Sequence, residues 1–360
     1  MEESSIIFNG SYFSEKPSGI SVVSQQLAKS FKKETLSLYA PFKVGNSKFY
    51  KLPKSFYPEY GFKAHLRRLN WNQFKLAKII KKRRDSILFS PLPEAPIGQG
   101  IRSVVLIHDL LPLRMKCSLP LSLYHNFYVP LVVKNASKVI CNSSTTAEEV
   151  SKKLKVPYEK LEVIKLGFDK SNFIALGLKR EPFFLVIARH IPHKNLPRVL
   201  KSFSIFKSLN KNFLDYKLMI AGNFHKRYTP HYKKICKELS LDNDCYLLNW
   251  ISEKEKINLL NRCKALIVPS LWEGFGLPVL EALACGTPTL ASNKGAMQEI
   301  LGDNSLFFDP YSVNSIANAM YEAASNNYLE NQFREFGPNR AAEYSWSNAA
   351  KKIEKIISKI

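Results

Sequence analysis

The fold is constrained most by a regular alternation of short apolar runs with longer stretches of helical periodicity along the whole chain. Continuous apolar strands that alternate with helices are typical of parallel sheets covered by helices on both faces. We therefore predict an α/β fold built from parallel sheets. The predicted strands are Ile6–Phe8, Leu36–Tyr39, Ile87–Phe89, Val104–Ile107, Val139–Ile140, Val163–Ile164, Phe183–Ile187, Leu218–Ile220, Tyr246–Leu248, Ala265–Val268, Thr289–Leu290 and Leu306–Phe308.

The alternation is interrupted once, between Gly167 and Pro182, and then starts again. A chain of 360 residues is long enough for two domains. We therefore predict two doubly wound domains, residues 1–175 and 176–343, followed by a last segment, residues 344–360. Between Trp346 and Ile360 the apolar residues follow one helical stripe, so this segment is expected to pack against a domain.

Composition excludes several classes of protein. With 45% apolar residues the chain is neither disordered nor fibrous, and its six cysteines contain no C-x-x-C pair, so reduced thiols are expected rather than a zinc ribbon or a disulfide framework. The acidic N-terminus does not resemble a signal peptide, and no apolar run is long enough to span a bilayer. We expect a cytoplasmic protein, soluble or peripheral on the inner face of the membrane.

The formal net charge is +23, from 53 Lys and Arg against 30 Asp and Glu, and much of the excess lies between Lys63 and Arg84. That segment has no acidic residue, and its apolar residues recur at near-helical spacing, which predicts a basic amphipathic helix. Two interpretations stay open: the helix docks on an anionic membrane surface, or it packs on a core with a solvated basic face. The cations are Lys63, Arg67, Arg68, Lys75, Lys78, Lys81, Lys82, Arg83 and Arg84.

The most informative segment runs from Val268 to Pro288 and predicts a strand, a glycine turn and a helix over Leu277–Ala284. Pro278 suits a first helical turn, and Gly286 suits the position just after a helix. The turn therefore follows the carboxyl end of a parallel strand, where such sheets bind ligands.

The residue types in this turn suit a phosphorylated sugar. Gly274 and Gly276 allow the backbone to approach a ligand, and the N–H groups that begin a helix favour an anion. Two carboxylates, Glu273 and Glu281, flank the anion site, and a carboxylate accepts hydrogen bonds from a vicinal diol. No third glycine stands near Val279, which argues against a hydride-transferring dinucleotide enzyme.

This segment closely resembles the E-x7-E signature of the retaining glycosyltransferases of family 4, with Glu273 and Glu281 as its two glutamates. The resemblance covers most of the chain. It implies the GT-B fold of two facing Rossmann-like domains, with a C-terminal helix that crosses back to the first domain. It also implies transfer of a mannose-like or glucose-like hexose, with retention, from a nucleotide sugar to a hydroxyl of a glycan or lipid-linked acceptor. Bacterial surface polysaccharide or glycolipid synthesis is the implied setting, with no cofactor and no essential metal.

The resemblance also assigns roles to particular residues. Glu273 and His108 are implied as catalytic residues that orient the donor sugar, and Trp250-Ile251-Ser252 occupies the place where the nucleotide base packs. Ser18-Gly19-Ile20 resembles the glycine loop that opens towards the donor phosphate. The implied donor-binding residues are Gly19, Arg189, Lys194, Ile251, Phe275, Gly276, Leu277 and Glu281.

Two other functions are alternatives to this one. A basic nucleic-acid-binding protein would explain the charge, but no nucleic-acid module is recognisable, and carboxylates repel phosphates, so no nucleic-acid partner is expected. A glycan phosphorylase of the same fold is a second alternative. Asp242-Asn243-Asp244 has the D-x-D pattern of a metal site, but it precedes a strand and lies at the edge opposite the expected site.

Overall fold

A computed structural model of the chain describes residues 6–15, 19–98, 100–115, 118–303 and 305–360. The chain forms two compact units: Tyr344–Ile360 belongs with the residues up to Gly167, and Phe168–Glu343 forms the second unit. The boundary lies at Gly167 rather than near residue 175, because the intervening segment packs on the second unit. Phe173 is buried there, and Lys170 Nζ donates to the Ala342 carbonyl at 2.7 Å.

Each unit contains one sheet, and every strand pair in both sheets is parallel. The strands are β1 Ile6–Asn9, β2 Leu36–Ala40, β3 Lys48–Lys51, β4 Ile87–Ser90, β5 Ser103–Ile107, β6 Lys138–Cys141, β7 Leu161–Val163, β8 Glu181–Ile187, β9 Lys217–Ala221, β10 Cys245–Leu248, β11 Cys263–Val268, β12 Thr289–Ser292 and β13 Leu306–Phe308. The order is β3-β2-β1-β4-β5-β6-β7 in the first unit and β10-β9-β8-β11-β12-β13 in the second.

The helices that connect these strands are α1 Gly19–Ser30, α2 Gly61–Trp71, α3 Ala77–Lys82, α4 Leu119–Leu123, α5 Val129–Asn135, α6 Ser144–Leu154, α7 Leu196–Leu209, α8 Thr229–Glu238, α9 Glu253–Arg262, α10 Leu277–Ala284, α11 Met297–Leu301, α12 Val313–Ser325, α13 Asn327–Ala342 and α14 Trp346–Ile357. No helix in the described part of the chain is long and apolar enough to cross a membrane.

The predicted class, two α/β units with parallel sheets, is confirmed. Each predicted strand overlaps an observed one, and only β3 was missed. Its sequence, Lys-Phe-Tyr-Lys, is not an apolar run, because β3 is an edge strand with both ends exposed. Stacking of Tyr50 on Tyr39 of β2, with ring centroids 4.4 Å apart, helps to fix it.

The C-terminal helix α14 packs within the first unit. Ala349, Ile353 and Ile357 are buried at helical spacing, and Glu354 Oε1 accepts a hydrogen bond from the Lys32 amide at 2.7 Å. At the start of the helix, a Cβ on Gly167 would lie 2.2 Å from the Trp346 nitrogen, so only glycine allows this approach. The predicted apolar stripe is therefore what attaches α14 to the first unit, where it packs against α1.

The basic segment forms a nearly continuous helix, in which α2 and α3 are joined by a π-helical turn, Asn72–Leu76. Its apolar residues do not share one face. Leu76 and Ile80 are buried in the core, whereas Phe62 and Leu66 are about half exposed. One face of the segment therefore packs on the core and the other leaves apolar and basic groups in solvent, while docking on a membrane stays a prediction.

Arg68 is an exception among the cations of this segment, because it is only 3% exposed. Its guanidinium binds both carboxylate oxygens of Glu94, at 3.1 and 3.2 Å. The Glu94 carbonyl in turn accepts from the Asn9 side chain at 2.9 Å, and that side chain also donates to Asn72 at 3.0 Å. The ion pair therefore ties the basic helix to the carboxyl ends of β1 and β4.

Burial alone would raise the pKa of Glu94, but the neighbouring Arg68 and His65 outweigh it and lower the pKa to about 2. A depressed carboxyl pKa adds stability that is complete above the unfolded pKa near 4.5 and is lost as the pH falls towards 2. At neutral pH the carboxylate is fully charged, so Arg68 keeps a charged partner in the interior.

We predict that Glu94→Gln destabilises the first unit by about 3 kcal/mol, because it leaves the buried Arg68 charge unpaired. The matched control is Glu148→Gln, which breaks an exposed ion pair with Lys152 and should cost less than about 0.5 kcal/mol. The measurement is the unfolding temperature of each variant at pH 7 by calorimetry. Equal shifts in the two variants would show that the buried pair is not important for stability.

Candidate active site

The candidate site lies at the carboxyl ends of β8 and β11 in the second unit. β8 is the first strand of this unit, and β9 and β11 lie on opposite sides of it, so the strand order reverses between β8 and β11. Crevices of this kind are where open parallel sheets bind ligands. The segment after β8 holds Arg189 and Lys194, and the segment after β11 holds Glu273, so three of the predicted residues come from the two loops at this point.

The loop after β11 is fastened to the loop after β8. The Leu271 amide donates to the His193 carbonyl at 2.9 Å, and the buried Asn195 side chain donates to the Pro269 carbonyl at 3.1 Å. Asn195 has a φ of 59°, a left-handed conformation that asparagine tolerates better than most residues. The two loops therefore form one framework.

Glu273 is fixed in this framework through both its side chain and its backbone. Its carboxylate is ion-paired with Lys194 and accepts from Ser270 Oγ at 2.6 Å. Its carbonyl accepts from the Ala296 amide at 2.9 Å. A Cβ on Gly295 would lie 2.2 Å from that carbonyl oxygen, so the backbone can pass there only at a glycine.

Electrostatics keep Glu273 negatively charged. Burial alone would raise the pKa of its carboxyl, but Lys194 and the Ser270 hydroxyl outweigh burial and lower the pKa below its ordinary value. Lys194 thus has a carboxylate partner in this structure, which sequence reasoning had not assigned to it. The ion pair holds the Glu273 carboxylate next to the partly exposed Lys194 ammonium, at the carboxyl ends of the strands.

Helix α10 begins at the turn, over the same residues as predicted, with Pro278 in its first turn. Gly276 is the N-cap at a φ of 108°, and a Cβ there would lie 3.0 Å from Met297 Cε. Phe275 is buried, and Leu277 is partly buried. Gly276 therefore allows the backbone conformation of the turn, and the buried Phe275 side chain attaches the turn to the interior of the unit.

Glu281, one turn into α10, is buried and ion-paired with Lys256 of α9, whose Nζ lies 2.7 Å from Oε1. The pKa of Glu281 is raised, because burial outweighs the attraction of Lys256. Its second oxygen, Oε2, is buried and has no hydrogen-bond partner among the described residues. A buried acceptor without a partner is destabilising, and a ligand hydroxyl would satisfy it.

The cations and histidines after β8 differ in accessibility. Arg189 is exposed, and Lys194 is partly exposed. His190 is fully buried, with Nδ1 3.0 Å from the Thr229 hydroxyl, and it contacts the Phe224 and Tyr232 rings, so it is a core residue. Burial and the nearby Lys194 lower the pKa of His193 to about 4.

Two other predictions concern β10. Ile251 lies in the segment after β10 and is partly buried, beside Trp250, which is 71% exposed. Asp244, at the opposite end of β10, is ion-paired with Lys207 and with Lys217, the latter at 2.6 Å. Among the residues that the structure describes, no cluster of three or more His, Cys, Asp or Glu could hold a metal ion. Asp244 of the D-x-D segment thus belongs to an ion-pair network with two lysines.

In the first unit, His108 follows β5 and is partly exposed, and its Nε2 donates to the Pro91 carbonyl at 2.9 Å. A carbonyl can only accept, so Nδ1 is the acceptor nitrogen of the neutral ring. Burial lowers the pKa of His108 to about 4, so the ring is neutral at pH 7. Gly19 begins α1, and a Cβ there would meet nothing within 4 Å. Ser18, assigned to the same loop, lies outside the described residues.

Sequence reasoning missed the residues that hold the two glutamates. Ser270 stands three residues before Glu273, and this spacing is a weak signal at most. Lys256 lies 25 residues from Glu281, and Gly295 lies in the loop after β12, so no local pattern connects them to the glutamates. Five cysteines in the described part are free and buried, and Cys117 lies outside it.

Comparison with known proteins agrees with this geometry. The profile of the group 1 glycosyl transferases matches residues 169–340, and that of glycosyltransferase family 4 matches residues 17–172. Together they cover both units. The chain belongs to the group 1, family 4 glycosyltransferases.

Individual relatives are more distant. The O-antigen chain mannosyltransferase RfbU of Salmonella typhimurium is 28% identical over 57% of this chain and 56% of its own length. The serotype-specific mannosyltransferase WbdA of Escherichia coli is 25% identical over 69% of this chain and 32% of its own length. This glycosyltransferase thus spans about half of one relative and a third of the other.

A solved structure shares the fold. Anabaena HepE, determined with UDP and glucose, matches 99% of this chain and 100% of its own with a TM-score of 0.74, at 17% identity. The predicted GT-B fold class is therefore confirmed.

We predict that Gly295→Ala lowers turnover of this glycosyltransferase by about a hundredfold, because the new Cβ displaces the Glu273 backbone. The control is Gly302→Ala. Both glycines have a φ near 70°, so both variants carry a backbone strain of about 1–3 kcal/mol, but at Gly302 the nearest atom is 3.8 Å away. Unfolding temperature and turnover are measured for each. Equal losses of turnover would mean that the position of Glu273 does not matter.

Proposed function

We propose that this glycosyltransferase transfers a mannose-like or glucose-like hexose from a nucleotide sugar to a hydroxyl of a glycan or lipid-linked acceptor, with retention, in the synthesis of a bacterial surface polysaccharide or glycolipid. The observation that carries the proposal is that a partly exposed glutamate, Glu273, and a buried one, Glu281, flank a glycine turn at the β8–β11 crevice. Two mannosyltransferases of O-antigen or serotype-specific synthesis among the relatives support the hexose class.

In the proposed donor complex, Glu281 binds the ribose hydroxyls. Support comes from Oε2, the buried acceptor that has no partner within the described residues. The Gly276–Leu277 amides, Arg189 and Lys194 bind the pyrophosphate, since cations and helix N-termini favour that anion. Phe275 supports the turn, and Gly19 and Ile251 are the further donor-binding residues of the proposal, for the phosphate and the base respectively.

Glu273 and His108 orient the hexose in this proposal. The charged carboxylate of Glu273 accepts hydrogen bonds from sugar hydroxyls, and the neutral His108 ring offers Nδ1 as a further acceptor. With a pKa of about 4, the His108 ring is neutral at pH 7 and its one N–H is bonded to the Pro91 carbonyl, so it positions the substrate rather than acting as a general acid.

The proposed step breaks the bond between the anomeric carbon and the donor phosphate oxygen, and the acceptor oxygen bonds to the same face of that carbon. The acceptor proton goes to a phosphate oxygen of the leaving nucleotide. Arg189, Lys194 and the backbone amides offset the negative charge that develops on that group. We therefore propose that no metal is needed, and that turnover is unchanged by EDTA.

The exposed cations of the basic helix support a position on an anionic membrane surface, where a lipid-linked acceptor would be available. Each Lys or Arg close to such a surface contributes about 1 kcal/mol. Arg68 is not part of this surface, since it is buried with Glu94. Nucleic acid is not proposed as a partner.

We predict different kinetic effects for Glu281, which is proposed to bind the donor ribose, and for His108, which is proposed to orient the hexose. Glu281→Ala should raise the donor KM about 10- to 100-fold, because it removes the hydrogen bonds that this carboxyl group accepts from the ribose. His108→Ala should lower kcat about a hundredfold and leave the donor KM nearly unchanged. Steady-state kinetics test both, with the exposed Glu238→Ala as control. Unchanged kinetics in both variants would contradict the assignment.

Retention is tested separately by proton NMR of the product formed from an α-linked donor. We expect the product to keep the α anomeric configuration, in the presence and in the absence of EDTA. An inverted anomer would contradict the proposed step while leaving transfer itself established. A product that forms only when inorganic phosphate replaces the acceptor would favour the phosphorylase alternative.

A further inference from the structure

A helix of the first unit that the sequence had not singled out exposes a row of large apolar side chains. The helix runs through α4, a π-helical turn (Tyr124–Tyr128) and α5. We name the row the apolar ridge; its members are Leu119, Leu123, Phe127 and Leu131, which are 72%, 50%, 66% and 48% exposed. Their spacing of four residues places them along one side of the helix. Contiguous exposed apolar surface of this kind marks an interaction site.

The other side of the same helix accounts for its position in the fold. Tyr124, Val129, Val132 and Val133 are buried in the core of the first unit. The ridge is therefore not a misplaced core face. It is a second apolar face on a helix whose core contacts are already complete.

The basic helix lies directly beside it. The His65 ring packs on the Tyr124 ring with centroids 4.6 Å apart, and Gln73 Nε2 donates to the Tyr128 hydroxyl at 2.8 Å. The basic helix adds its own exposed apolar residues, Phe62, Leu66 and Phe74. Each of these two neighbouring helices thus exposes apolar groups.

The charged side chains within these two helices have one sign. From Ser118 to Val133 the chain has no charged residue, and from Tyr60 to Arg84 it has cations but no acidic residue. Apolar residues flanked only by cations match a surface with an apolar interior and anionic headgroups. A second copy of the chain fits poorly, because a two-fold interface would place the basic helices of both copies next to each other.

We propose that the apolar ridge inserts into the headgroup region of an anionic bilayer while the neighbouring basic helix binds the headgroups. Insertion would hold the enzyme where a membrane-borne acceptor is found. In that respect the inference deepens the proposed function and rests on it. Insertion differs from the electrostatic attraction expected from the sequence, because it depends on apolar contact and persists when salt screens the charges.

The test is vesicle binding by the full chain, with phosphatidylcholine alone and with added phosphatidylglycerol, at low and high salt. The ridge variant is Leu123→Asn with Phe127→Asn, and its matched control is Leu209→Asn with Leu214→Asn, two exposed leucines of the second unit. We expect the ridge variant to bind anionic vesicles at least tenfold more weakly than the parent at both salt concentrations. The control should remain within twofold of the parent.

A second pair of variants tests the basic helix. Lys63→Gln with Arg67→Gln should weaken binding at low salt only, and Lys351→Gln with Lys352→Gln on α14 serves as control. Phe127→Trp should gain fluorescence that brominated lipid quenches, relative to the parent. Parent-like binding by the ridge variant, or no additional quenching, would overturn the proposal. So would a parent dimer in sedimentation that the ridge variant abolishes.

The two proposals can fail separately. Turnover with a water-soluble acceptor should be the same in the parent and the ridge variant, because no residue of the ridge is among those proposed to bind or orient the donor. If the parent binds vesicles through the ridge but transfers no hexose, the proposed function is wrong and the membrane surface stands. If transfer occurs and the ridge variant still binds like the parent, only the further inference is lost.

Discussion

The parallel direction of every strand is the constraint on which the rest of the structure depends. Since all strands in a sheet point the same way, all of their carboxyl ends lie at one edge, and the loops at that edge can converge on a ligand. The reversal of strand order then decides which loops are adjacent. In the second unit it brings the loops after β8 and β11 together, and these carry Lys194 and Glu273.

The first unit uses its own reversal point in a different way. There the ends of β1 and β4 are joined by Asn9 and Glu94, and the Arg68–Glu94 ion pair links them to the basic helix. The same short loop after β4 provides the Pro91 carbonyl that orients His108. A buried ion pair is weak evidence for stability, but it does fix geometry when each partner is satisfied, as both are here. The buried pair thus helps to position the loop after β4, and this loop orients His108 through the Pro91 carbonyl.

The two units also differ in how many of their positive side chains have a carboxylate partner. Lys194 and Lys256 are ion-paired with the two glutamates of the candidate site, so much of the nearby positive charge is matched. The basic helix has no such balance, apart from Arg68. Its other cations lie on the helix beside the apolar ridge. Part of the net charge of +23 is therefore located on one particular surface of the first unit.

The sequence by itself determined the two parallel sheets, twelve of the thirteen strands and the extent of α10, because these depend on local periodicity, proline and glycine. Tertiary structure alone decided the partners. Lys256 is 25 residues from Glu281, the loop containing Gly295 clamps Glu273, and Arg68 is buried while its neighbour Arg67 is exposed. The ridge on α4 and α5 was not predicted either, since an apolar helix looks the same in sequence whether its second face is covered or exposed. Such features arise from contacts between segments distant in the chain, which periodicity does not encode.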